Sequence, residues 1–282
     1  MPIRSFLACC ILAVSAWPAA AQQRPLLTED PEPVGAGRVL LEGGFDMAHD
    51  QHYPVSGLEG NLIRVPTIGI SVGLSSIAEL QIDGGFYNHL SISKRNAAAP
   101  LSSLVTATGD STTDVDDVVI ATKIRVLAET SSRPAFGLRF ATKLPNASNE
   151  SGLGLDTTDF YATLLGAKTV QSVRIVANLG AGILADPTVG NRQNDVLTYG
   201  VSFARAVTQE AEIVGELNGR VSTRSGVAFP GTESRGILKI GGRYTRGSAR
   251  LDAGVFFGLT SADPTIGATV GVTYVFNAFT VP

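Results

Sequence analysis

The 282-residue chain is 44% hydrophobic and only 17% charged, against about 25% charged for an average soluble protein. Its formal net charge of −3 removes the electrostatic case for a nucleic-acid partner. No run after the N-terminus reaches the roughly 18 apolar residues of a membrane helix, so the apolarity has to be carried by alternation.

Residues 1–21 read as an export signal. Arg4 supplies the positive charge, Phe6 to Val14 the apolar core, and Ala19-Ala20-Ala21 the small residues ahead of cleavage before Gln22. Both cysteines, Cys9 and Cys10, fall inside this segment, so the exported chain is expected to form no disulfide. Residues 22–37 hold Pro25, Pro31 and Pro33 and show no periodicity. They are expected as a periplasmic lead-in, with residues 38–282 forming the folded body.

That body alternates. Side chains of a strand point to opposite faces with period two. On this basis the first strand covers 38–48, with Val39, Leu41, Phe45 and Met47 on its apolar face. The second covers 62–74 and contains Pro66, which calls for a bulge or bend. Further strands are expected at 78–87, 117–127, 135–144, 158–168, 173–184, 196–205, 210–222, 234–244 and 249–259. The last, 265–276, is the clearest. Ile266, Ala268, Val270, Val272, Tyr274 and Phe276 share one face, and small polar residues fill the other except for Val275.

Twelve such strands exceed soluble lengths and suit a tilted bilayer crossing. Short turns near 75–77, 129–133, 170–172, 207–209 and 246–248 alternate with longer links at 49–61, 88–116, 145–157, 185–195 and 223–233. A soluble β-sandwich or lipocalin-like barrel also alternates, but strand length, loop asymmetry and terminal aromatics favour a membrane barrel. The expectation is an all-β, single antiparallel transmembrane β-barrel with short periplasmic turns and longer outer loops, placed in the bacterial outer membrane. The Ser/Thr-rich loop 88–116 is expected to be mobile.

Three segments carry a resemblance. They are Asp116-Asp117-Val-Val-Ile-Ala-Thr-Lys-Ile-Arg125, Leu138-Arg-Phe-Ala-Thr-Lys-Leu-Pro145 and Gly152-Leu-Gly-Leu-Asp-Thr-Thr-Asp-Phe160. Over residues 114–168 the chain resembles the bacterial outer-membrane proteins of the MetA-pathway-of-phenol-degradation family, grouped as porin-like transporters. The resemblance implies a barrel for uptake of hydrophobic or aromatic compounds, with no catalytic site to carry over.

The polar face should carry function. Glu79, Gln81, Asp83 and Tyr87 point inward from the third strand, Lys123 and Arg125 from the fourth, and Arg139 and Lys143 from the fifth. Glu212 and Glu216 face Lys239 and Arg243 on the ninth and tenth strands. The simplest registers set Glu79 opposite Arg125, Gln81 opposite Lys123, Glu216 opposite Lys239 and Glu212 opposite Arg243. Arg220 and Arg235 then meet near the outer rim. An Arg at the bilayer midplane costs about 2–4 kcal/mol on the lipid face, so these groups line a lumen or pair across a filled one. Lys123, Arg125, Arg139 and Lys239 are expected on the permeation path.

No catalytic constellation or cofactor site is expected. The only histidines, His49, His52 and His89, sit at strand ends or loops. Asp46 and Asp83 are the acids within reach of His49 and His89 across the first three strands, and nothing in the sequence fixes that geometry. His49-x-x-His52 is read as solvated rather than metal-binding. The expected partners are outer-membrane lipid, the barrel-assembly machinery and a small-molecule solute. The expected function is passive uptake through a charge-lined lumen. The alternatives are a plugged structural or adhesive barrel acting through its outer loops, and an outer-membrane lipid hydrolase. The outward face is apolar on nearly every strand, so no oligomer interface stands out.

Overall fold

The computed structural model describes residues 24–281. The expected export signal lies outside the described residues. The strands are β1 (Arg38–Tyr53), β2 (Leu58–Gly73), β3 (Ala78–Gly85), β4 (Asn88–Arg95), β5 (Ser111–Asp114), β6 (Val119–Leu127) and β7 (Ala135–Lys143). They continue as β8 (Asp159–Val170), β9 (Val173–Ala185), β10 (Gln193–Ala206), β11 (Ala211–Ser222), β12 (Arg235–Arg246), β13 (Ala249–Gly258) and β14 (Ile266–Asn277).

Adjacent strands of the wall pair antiparallel, and β14 pairs with β1 from Arg38↔Asn277 to His49↔Ile266. That pairing closes the sheet and removes its edges. β4 stacks above β3 on the same partner β2, and β5 stands above β6. The wall is therefore a twelve-stranded barrel in which two strands are each interrupted once. Between Gly44↔Thr67 and Asp46↔Arg64 the register shifts, so the expected bulge falls at Pro66, where β2 passes from β3 to β4.

The outer surface is the apolar face of each strand. Phe140, Leu164, Val201, Ile240, Leu251 and Val270 are exposed, while Gln81, Lys123, Glu216 and Thr273 are buried inside. Burying polar groups inward and exposing apolar ones outward inverts a soluble fold and suits a lipid surround. Tyr274 and Phe276 stack at 6.0 Å between ring centres near the short-turn end, and Phe86 and Phe160 stand exposed toward the other end.

Two expectations change. The loop 88–116 is not a free excursion. Leu90 packs with Leu58 and Leu62, with Ile92 and Val105 against them. Thr106 N–H and Ser148 N–H bond to Glu150 O and Asp114, tying this extension to the 145–157 loop. The short apolar alternation Leu90-x-Ile92 drives this pairing and is masked by the Ser/Thr-rich composition around it. The link expected at 49–61 likewise shrinks, because β1 and β2 run on to Tyr53 and Leu58.

The residues after β14 are also anchored. Gly37 donates its N–H to Gly73 O at 2.9 Å and accepts from Ala278 N–H at 2.9 Å and Phe279 N–H at 3.1 Å. Its φ of +69 suits glycine, and a Cβ there would overlap the Phe279 carbonyl. Gly37→Ala is expected to cost more than about 1 kcal/mol. It should lower the temperature of the heat-dependent mobility shift of the refolded barrel. An unchanged temperature would mean the clamp contributes nothing.

Candidate functional site: the occupied lumen

Residues 24–36 do not run outside the barrel. They pass through its interior, from mid-height at Arg24 to the short-turn end at Gly37. The wall holds this stretch by its backbone. Glu216 accepts Leu27 N–H and Thr28 N–H at 2.8 Å each, and Thr28 Oγ1 at 2.9 Å. Asn178 accepts Glu29 N–H at 2.7 Å and returns a bond to Glu29 O at 2.8 Å. Lys239 Nζ donates to Pro25 O at 2.7 Å, and Arg243 Nε donates to Arg24 O at 2.8 Å. Glu79 accepts Val34 N–H. A stretch with three prolines cannot complete a strand ladder. Wall side chains therefore satisfy its backbone groups, which buried polar atoms require.

Its side chains add charge. Glu29 pairs with Arg139 at 3.0 Å and Lys123 at 3.4 Å, Asp30 pairs with Arg174 at 2.7 Å, and Glu32 pairs with Arg125. At the top, Arg24 lies 3.6 Å from Asp252 and donates to Thr269 Oγ1 at 2.8 Å. Apolar contacts complete the fit. Leu26 packs with Ala204 and Val214, and Val34 with Leu40 and Val275. The last cluster explains why Val275 breaks the polar pattern of its face. Glycines make room: a Cβ on Gly200 would lie 2.9 Å from Thr28 Oγ1, and one on Gly271 would overlap the Arg24 guanidinium.

Above this segment lies a cavity of about 880 Å³, with Arg24, Pro25 and Leu26 at its floor. Asp83, Arg139, Lys143 and Lys239 stand in its wall, together with Asp46, Arg64, Asp116 and Arg220. A second space of about 300 Å³ adjoins it under the 54–56 and 152–155 turns.

Of the residues expected to line a pore, Asp83, Arg139, Lys143 and Lys239 border this cavity. Glu79, Gln81, Lys123, Arg125, Glu212, Glu216 and Arg243 lie lower or in the wall around the segment. Lys123 is 0% exposed, 2.9 Å from an equally buried Glu79. The registers Glu216↔Lys239, Glu212↔Arg243 and Arg220↔Arg235 are as expected. The third-to-fourth strand register is corrected by two residues, to Glu79↔Lys123 and Gln81↔Ala121. The β4–β5 ribbon carries the same alignment, Asn88↔Asp114, so the extension sets it rather than a free loop.

The sequence reading missed the segment itself, with Asn178 and Arg174. A signal was present in Glu29-Asp30-Pro-Glu32, an acidic run facing the inward cations of the fourth, fifth and seventh strands.

The histidines have local partners. His49 meets Asn61 at 2.7 Å and Asp50 at 3.3 Å, and His52 meets Glu59 at 3.2 Å. His89 stacks on Tyr87 and lies 3.4 Å from Ser91 Oγ. Asp46 is committed to Arg64 and Thr269, and Asp83 lies by Arg139, so neither acid orients a histidine.

No family model matches the chain, and no curated protein matches it in sequence. Solved structures do. The COG4313 outer membrane channel from Pseudomonas putida F1 superposes with a TM-score of 0.62 at 12% identity, over 88% of this chain and 98% of that one. The fold is that of an outer-membrane β-barrel. The translocator domain of the autotransporter NalP from Neisseria meningitidis gives a TM-score of 0.47 at 14% identity, over 86% of this chain and 89% of that one. The TodX monoaromatic hydrocarbon channel, a deltaS2 mutant, gives 0.39 at 10% identity, over 89% and 93%.

Proposed function

We propose that this protein is an outer-membrane channel for passive uptake of small solutes, narrowed in its inner half by residues 24–36. The carrying observation is the lumen. It holds a cavity of about 880 Å³, lined by charged and apolar side chains together and floored by a segment that the wall retains largely through hydrogen bonds and ion pairs. A purely structural filler is served more cheaply by apolar packing, since burying charge is costly even when it is paired. A path lined by opposed charges orients polar solutes and sets ion preference. The structural likeness to an outer membrane channel supports the same reading, and the resemblance to phenol-pathway transporters suggests aromatic compounds among the solutes.

The test is planar-bilayer conductance of the refolded chain lacking residues 1–21. Discrete steps with an ion preference are expected. Arg139 and Lys239 stand on the cavity wall, so Arg139→Glu with Lys239→Glu should move the reversal potential in a salt gradient toward cation preference. An unmoved potential would remove these two from the path. A silent bilayer, from protein shown folded by heat-dependent mobility, would favour a filled barrel that acts through its outer loops.

A further inference from the structure

We infer that Arg220 and Arg235 form a binding station for a small carboxylate solute at the outer mouth of the lumen. The two arginines sit directly opposite one another on β11 and β12, where both strands reach the 223–234 loop. Both point inward and border the two adjoining spaces. Like charges directly opposite on a sheet destabilise it.

Elsewhere inside the barrel the cations are matched. Arg64 lies 2.9 Å from Asp46, Lys143 2.7 Å from Asp117 and Arg174 2.7 Å from Asp30. Among the described residues, neither Arg220 nor Arg235 has a carboxylate within ion-pair distance. Arg220 is instead fixed by carbonyl oxygens. Its Nε donates to Glu233 O at 2.9 Å and its Nη2 to Gly231 O at 2.8 Å. Arg235 Nε is buried without an acceptor.

The nearby acids accept from other donors, except that Glu233 Oε2 is buried without one. Asp263 accepts Gly236 N–H at 2.9 Å and Thr260 Oγ1 at 2.7 Å, and Glu233 accepts Gly231 N–H at 2.9 Å. Arg235, with its Nε unpartnered, faces Arg220 across the strand pair, and the two guanidiniums together supply the positive charge and N–H donors that suit a planar carboxylate. Tyr161, whose hydroxyl meets Arg220, and Tyr53 border the same spaces and offer aromatic surface to the rest of the solute.

As a loading step for permeation this station rests on the channel reading; as a binding site it stands without it. The test is therefore equilibrium binding rather than conductance. Sodium benzoate is titrated by calorimetry into the refolded barrel in detergent, with methyl benzoate as the uncharged control. Benzoate is expected to bind saturably, and Arg220→Gln or Arg235→Gln should each weaken it at least tenfold. Arg205→Gln, an exposed position at the short-turn end, should leave it unchanged.

Arg235→Gln relieves the like-charge contact, so its heat-dependent mobility shift should come at the same or a higher temperature than that of the parent, which separates lost binding from lost folding. Arg220→Gln also gives up the bonds to Glu233 O and Gly231 O, so its shift is read only to show that the variant folds. Non-saturating benzoate, equal affinity in the arginine variants, or equal binding of methyl benzoate would each overturn the assignment. A silent bilayer with intact benzoate binding would instead overturn the channel reading alone.

Discussion

Replacing Glu29, Asp30 and Glu32 together by Gln, Asn and Gln is expected to raise single-channel conductance severalfold and shift the preference toward anions. These three carboxylates hold the inner segment to Lys123, Arg139, Arg174 and Arg125. Neutralising them removes its charged anchors and leaves the lumen more cationic, although Lys123, Arg139 and Arg174 keep Glu79, Asp83 and Glu129 as partners in the wall. The backbone bonds to Glu216 and Asn178 remain, so the segment should become mobile rather than leave, and current steps should become noisier as well as larger. The check is a bilayer recording of parent and variant in the same salt, with the reversal potential in a gradient. Conductance and preference equal to the parent would mean that the segment does not narrow the path.

Lys123→Met should carry the largest loss of stability. Lys123 is wholly buried, 2.9 Å from Glu79 and 3.4 Å from Glu29. Methionine fills similar volume but leaves two buried carboxylates facing one another. Removing one partner of a buried pair costs about 3–5 kcal/mol. Urea unfolding in lipid vesicles should register that loss. Adding Glu79→Gln removes one of the stranded charges, and the double variant should recover part of it. Glu79 also accepts Val34 N–H on one oxygen and Gln81 Nε2 on the other; the single amide oxygen of glutamine keeps one of these bonds, which is why the recovery is only partial. A single variant as stable as the parent would show that water reaches this cluster.

Much of the wall was legible in the chain. Alternation names both faces of a strand without knowledge of its neighbours, since an inward or outward position depends only on the parity of the residue. Val270, Val272 and Tyr274 were assigned to lipid on that basis and are exposed; Thr269 and Thr273 were assigned inward and are buried. The β11–β12 register followed as well, because complementary charges, Glu216 with Lys239 and Glu212 with Arg243, select one alignment.

The register of β3 on β6 and the order within 88–116 were not legible. Both depend on the ribbon of β4 and β5, whose few apolar residues gain stability only by packing on Leu58 and Leu62, distant in sequence.

The lumen marks the deeper division. Local pattern determined a twelve-stranded barrel with its polar side inward, because period-two alternation is a property of each strand alone. What occupies that interior was decided only by the closed structure. Residues 24–36 have no periodicity, and their backbone bonds go to side chains such as Glu216 and Asn178, nearly 190 and 150 positions away. Such partners meet only after β14 has closed on β1. The same closure sets Arg220 and Arg235 above the segment, at the edge of a cavity that no single strand encodes.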